Sequence, residues 1–138
     1  MSVSPETLHL AGQWVEKAEE DLTNAERTLL LQEGCPLSTV CFHAQQCAEK
    51  YLKALLTYHS IPFPKTHDLL ELFPAIPADL GLGDHLADLA SINRYSVELR
   101  YPRDWDPIER EDAEEAVAIA KKLRDDVRSH LPAEVLRD

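Results

Sequence analysis

The side chains able to do chemistry in this sequence fall into three groups. His43, Gln46, Lys50 and Lys53 recur at three- and four-residue steps, so an α-helix would set them on one stripe. Such a stripe could line a polar groove, form a subunit interface, or stay solvated with each lysine keeping its ammonium wet. Lys65 and His67 stand together in Pro64-Lys65-Thr66-His67-Asp68. An imidazole there can bond a neighbouring backbone group or carboxylate, or contact a ligand with Lys65 beside it. Arg94, Arg100 and Arg103 are interleaved with Tyr95, Tyr101 and Trp105 in an otherwise acidic chain. Guanidinium groups among aromatic rings suit phosphate capture with base stacking, or a protein interface. A plainer role is also open: Arg100 would pair with Glu49 or Asp68 and fix its loop, with Tyr101 and Pro102 packed beneath.

The elements that must position these groups read as helices. Leu37, Val40, Cys41, Ala44, Cys47, Ala48, Tyr51, Leu52 and Leu55 form a broad apolar face, uninterrupted by Gly or Pro, which predicts a central helix between Pro36 and His59. Ser4-Pro5-Glu6 is a helix start, and Leu8, Ala11, Trp14, Val15, Ala18, Leu22, Ala25 and Leu29 continue from it at helical spacing. Gly34 is expected as the C′ residue and Pro36 as the next opening, which makes the first two helices antiparallel neighbours. Ile61-Pro62-Phe63-Pro64-Lys65 predicts an extended connector. Thr66 is then expected to cap a short helix over Leu69, Leu70, Leu72 and Phe73, and Asp84 another over Leu86, Leu89, Ala90 and Ile92. Tyr95 to Trp105 has little periodicity and reads as a loop. Asp106-Pro107-Ile108-Glu109 repeats the cap, proline and acid pattern, opening a last helix that runs to Leu131 before Pro132. No stretch reads as a strand. The expectation is an all-α, up-and-down antiparallel bundle of four main helices plus one short helix, a single domain over residues 1–138.

Composition narrows the function classes. The 138 residues are 44% hydrophobic and 28% charged, as in ordinary soluble proteins. No apolar run approaches the ~20 residues of a membrane span, and the N-terminus lacks a signal pattern, so the cytoplasm is the expected location. A net charge of −11 argues against nonspecific nucleic-acid binding by the whole surface, while a local basic site or a basic partner stays open. Cys35, Cys41 and Cys47 are odd in number and lack CxxC spacing, so buried reduced thiols are expected. No His, Cys or Asp cluster has metal-ligand spacing, His9, His59 and His85 are scattered, and no metal or cofactor is expected. Gly81-Leu82-Gly83 lacks a preceding strand and a third glycine, so it is no phosphate loop.

Four motifs stand in order along the chain. Trp14, Ala18 and Asp21-Leu22 come first, then Phe42-His43-Ala44-Gln45-Gln46-Cys47-Ala48-Glu49-Lys50 running into Leu52-Lys53-Ala54-Leu55. Pro64-Lys65-Thr66-His67-Asp68-Leu69 and Arg100-Tyr101-Pro102 follow, with Glu114-Glu115-Ala116 leading into Ala120. Together they resemble the HEPN family, small helical-bundle proteins of bacteria and archaea. The resemblance implies a bundle of the nucleotidyltransferase substrate-binding-subunit type, homodimeric and paired with a small nucleotidyltransferase, with nucleotide or RNA as ligand. On that reading Gln46, Lys50, Lys53, Lys65, His67, Arg94, Arg100 and Tyr101 are the candidates for ligand or partner contact.

Members of that family that cleave RNA resemble one another in an Arg followed after four to six residues by a His near the start of the final helical segment, in a cleft formed by a dimer. There Arg neutralises the scissile phosphate and His exchanges a proton near neutral pH. Neither Arg94 nor Arg100 has a His in reach. Arg124 and His130 match formally at the far end of the last helix, where an uninterrupted helix sets them about 120° apart. Asp125 and Asp126 beside them would repel a phosphate, and His130 suits the negative end of the helix dipole. The expected function is therefore a non-catalytic HEPN protein in a toxin–antitoxin-like pair with a nucleotidyltransferase. The alternative is a metal-independent HEPN ribonuclease toxin.

Overall fold

The computed structural model of the chain describes residues 2–96 and 107–136, and its regular structure there is all helical. Helix α1 (Pro5–Leu29) opens as the sequence predicts, with the Ser4 hydroxyl accepting from the Thr7 N–H at 3.1 Å and proline in the first turn. It closes early, at Leu30, so Gly34 (φ +67°) serves the turn and not the helix end. Helix α2 (Leu37–Tyr58) follows after Pro36.

Helix α3 (Leu69–Leu72) is capped by Asp68, not Thr66: Asp68 Oδ1 accepts from the Leu70 N–H, and Thr66 Oγ1 accepts from the Asp68 N–H one step earlier. A carboxylate is the stronger acceptor at the positive end of a helix. Helix α4 (Leu86–Ile92) grows out of a tight turn at Gly83–His85, with no side-chain cap from Asp84. Helix α5 (Arg110–Arg128) starts later than Asp106-Pro107 suggests. Glu109 is its N-cap and shares a reciprocal capping box with Asp112, whose Oδ2 accepts from the Glu109 N–H at 2.9 Å. Beyond Arg128 the chain turns at Pro132 and adds α6 (Ala133–Leu136), which buries Val135 and which periodicity alone did not separate from α5.

Contacting pairs fix the topology. Trp14 meets Lys53 and Asp21 meets Lys50, so α1 and α2 run in opposite directions. Glu26 with Lys121 and Glu19 with Arg124 make α5 antiparallel to α1 as well. His85 with Asp126 and Arg94 with Asp112 make the α4 segment antiparallel to α5. The result is an up-down-up-down bundle of α1, α2, α4 and α5, the third member only seven residues long.

α2 is the central member. Val40, Cys41, Ala44, Cys47, Ala48, Tyr51, Leu52, Leu55 and Leu56 are all buried, against Leu69, Leu89, Ile92, Ala120 and Leu123 from the elements around it. Opposite them α1 presents small residues, Ala11, Gly12, Ala18 and Ala25, which let the two helices approach closely. Cys41 and Cys47 are buried free thiols, and burial pushes the Cys47 thiol well above its ordinary range. Cys35 departs from the expected burial: it is half-exposed on the α1–α2 turn. Among the described residues no helix is long and apolar enough to cross a membrane.

Candidate functional site

The polar stripe of α2 faces protein, not water. Lys53, expected to keep its ammonium wet, has a side chain only 7% exposed. Its Nζ donates to Glu49 Oε2 at 2.9 Å and lies 5.3 Å from the centre of the Trp14 ring, which Phe63 of the connector flanks edge-on. The Trp14 ring covers the lysine ammonium, so periodicity found the face but not its cover. Gln46 is buried too, its Nε2 donating to Gln45 Oε1 at 2.7 Å and to Glu49 Oε1 at 3.1 Å. His67 Nδ1 lies 2.9 and 3.1 Å from the two oxygens of the same carboxylate. Gln45 Nε2 donates to the His67 carbonyl at 2.9 Å and so fixes the loop that carries the imidazole.

Three of the candidates, Gln46, Lys53 and His67, thus converge on Glu49, a carboxylate the sequence offered only as a partner for Arg100. A buried carboxylate is costly unless paired, and here an ammonium, an amide and an imidazole share it. The available clue was Glu49 and Lys53 at i and i+4 with apolar residues on both sides. The other end of the loop is pinned as well. Asn93 Nδ2 donates to Asp68 Oδ1 at 2.7 Å, and Asn93 Oδ1 accepts from the Leu69 N–H at 2.9 Å. His67 keeps 41% of its side chain exposed, and Lys65 two residues earlier is exposed. An imidazole held by a buried carboxylate, with an exposed ammonium two residues earlier, can bind an anionic group.

The remaining candidates lie apart. Lys50 Nζ is 2.5 Å from Asp21 Oδ2, and His43 Nδ1 is 2.8 Å from Asp21 Oδ1, so this pair ties α2 to α1. Arg94 sits past the end of α4, exposed, with Nη2 donating to the Tyr95 hydroxyl at 2.7 Å and its guanidinium 4.7 Å above the Tyr95 ring. Asp112 Oδ1 lies 4.0 Å from its Nη2. Arg100 and Tyr101, with Arg103 and Trp105, lie outside the described residues.

Arg124 and His130 are both committed within the chain. Arg124 forks onto Glu19 through Nε (2.7 Å) and Nη2 (3.0 Å), and its Nη1 donates to Asp125 at 2.8 Å. Tyr51 also donates to Glu19, and Arg128 donates to the Tyr51 oxygen at 3.3 Å. His130 Nε2 stands 3.8 Å from Asp126, the acid that already holds His85 at 2.7 Å. Burial pushes the Glu19 carboxyl up, but the hydrogen bonds from Arg124 and Tyr51 and the charges of Arg124 and Arg128 outweigh it and hold the carboxyl below its ordinary range.

A depressed carboxyl contributes stability that is fully present above its unfolded pKa and is lost as pH falls through the folded value. Glu19→Gln should therefore flatten the loss of Tm that wild type shows on acidification from about pH 5 to pH 3. An unchanged acid slope would mean that Glu19 is not held down by these partners.

The described residues thus form an all-helical bundle whose central helix holds a buried carboxylate tied to a Thr-His-Asp loop. Residues 11–130 match the HEPN domain family model, and the chain belongs to the HEPN family. It is 29% identical over 137 residues, 88% of each chain, to the Methanocaldococcus jannaschii protein named "Putative toxin MJ1304". The crystal structure of TT1696 from Thermus thermophilus matches with a TM-score of 0.74 at 29% identity, covering 88% of this chain and 98% of that one. ST0689, an archaeal HEPN homologue, shares the fold with a TM-score of 0.62 at 24% identity, over 87% of this chain and 96% of its own.

Proposed function

We propose that this chain is a non-catalytic, homodimeric HEPN protein of the cytoplasm that pairs with a small nucleotidyltransferase in a toxin–antitoxin-like pair. In this reading the loop of Lys65 and His67 receives an anionic group of a nucleotide or RNA, and the partner performs the chemistry. The observation that carries it is the state of Arg124. It is the sequence's sole Arg with a His four to six residues beyond, and its guanidinium is taken by Glu19 and Asp125. A phosphate arriving there would have to displace two carboxylates. The relative named as a toxin supports the toxin–antitoxin side of the reading, and it also favours the second reading, a metal-independent ribonuclease.

A cleavage assay on labelled RNA in chelator separates the two. Wild type, Arg94→Ala, Arg100→Ala and His130→Ala are expected to leave the RNA as intact as buffer does. Cleavage by wild type that disappears in His130→Ala would overturn the proposal and make the chain a ribonuclease with a displaced motif.

A further inference from the structure

Between Val40 and Leu56 every residue of the central helix is buried except Phe42, His43 and Lys50, which are half-buried. Buried Asp21 of α1 stands behind this opening and holds two of the three. Its Oδ1 lies 2.8 Å from His43 Nδ1, and its Oδ2 lies 2.5 Å from Lys50 Nζ. A carboxylate accepts from an N–H, so Asp21 places the imidazole proton on Nδ1 and leaves the lone pair on Nε2. Nε2 has no hydrogen-bond partner among the described residues, and the ring's other contact is edge-on with Phe42 at 5.3 Å. The His43 side chain keeps 25% of its surface exposed. Lys50 alone already balances the Asp21 charge, so the tie between α1 and α2 does not need the imidazole. What His43 adds is an oriented ring with a nitrogen to spare.

An imidazole oriented by a carboxylate, with its far nitrogen open, is arranged as a nucleophile. The charges around it admit a phosphoryl group. Asp21 and Lys50 cancel, and so do Lys17 and Glu20, 3.3 Å apart on the adjoining turns of α1. A phosphoryl group therefore meets no net local repulsion, although the chain as a whole carries −11. Lys50 is partly exposed beside the ring and can turn its ammonium toward phosphoryl oxygens. We propose that His43 is a phosphoryl-acceptor site, taking the group on Nε2 from an acyl phosphate. The Nε2 lone pair forms the P–N bond while the P–O bond to the acyl group breaks, and that bond's electrons leave with the carboxylate. The Nδ1 proton stays on the ring, and Asp21 stabilises the positive charge that develops there. An acyl phosphate suits the site because its carboxylate leaves without taking up a proton. Asp21 is the positioning residue, and the proposal is independent of the pairing described above.

The test is incubation of the full-length protein with radiolabelled acetyl phosphate, followed by peptide mapping. The label sought is stable to alkali and lost in acid, as a phosphoryl–imidazole bond is. Wild type is expected to take it up at His43 well ahead of exposed His9 and His59, which serve as internal references. His43→Gln should lose that label. Asp21→Asn keeps the ring but removes its charged partner, and should slow the labelling of His43 about tenfold or more. Asp21→Glu should restore part of the rate, which a purely structural tie would not predict. Absence of acid-labile label on wild type would overturn the proposal. So would labelling of His43 no faster than that of His9 and His59, or an equal rate in Asp21→Asn.

Discussion

Glu49→Ala is expected to destabilise the protein by about 3–5 kcal/mol in urea unfolding, because it leaves the Lys53 ammonium buried without its counter-charge. The size follows from burial: the Glu49 side chain is 2% exposed and that of Lys53 7%, so little water is at hand to replace the lost partner. Gln46 and His67 would also lose the acceptor they share. The expected loss belongs to the broken pair, not to the worth of the pair itself. Glu49→Gln combined with Lys53→Met removes both charges at nearly constant volume and should recover much of the stability. A cost below about 1 kcal/mol for Glu49→Ala would mean that Lys53 swings out to solvent. It would restore the wet stripe that sequence periodicity suggests.

Leu52→Ala is the second large effect, expected at about 2–5 kcal/mol. Leu52 is fully buried on the central helix and belongs to the single apolar core cluster of the described residues. Truncation removes apolar area and opens a cavity that the surrounding helices, each pinned by ion pairs to a neighbour, cannot easily close. Chemical denaturation with an unchanged m-value checks it. A loss below about 1 kcal/mol would place Leu52 at a site able to collapse or at the surface.

Periodicity and punctuation made the bundle legible. The apolar faces of α1 and α2 are where the spacing of Val15, Ala18 and Leu22, and of Ala44, Ala48 and Leu52, puts them, and Ser4-Pro5 marks a real start. Helix ends were harder to read, because several residues competed for each cap. Asp68 displaced Thr66, and Glu109 with Asp112 displaced Asp106, each time in favour of a carboxylate nearer the helix.

The candidate site was half visible for a different reason. Sequence spacing showed that Gln46, Lys50 and Lys53 share a face, yet it held no record of Trp14 lying over Lys53, or of Asp21 drawing Lys50 away. Glu49 stayed hidden because its partners come from α2 itself and from a loop beyond the connector. The exposure of Leu30 and Leu31 was equally hidden: the helical spacing from Leu8 to Leu29 says nothing of the two leucines beyond the helix end.

Arg110, the first residue of α5, donates to the carbonyls of both Leu29 and Leu31 at the turn between α1 and α2. That grip bears on the order in which the chain assembles. α1 and α2 are joined through residues 30–36, so their hairpin closes at small entropic cost. α5 must instead return to that hairpin across the whole α3–α4 stretch, a distant contact that forms late and is released early. Its first residue holds the hairpin's own corner, so the latest contact to form and the earliest fold back on each other. Whatever frees the start of α5 therefore also frees the turn between α1 and α2.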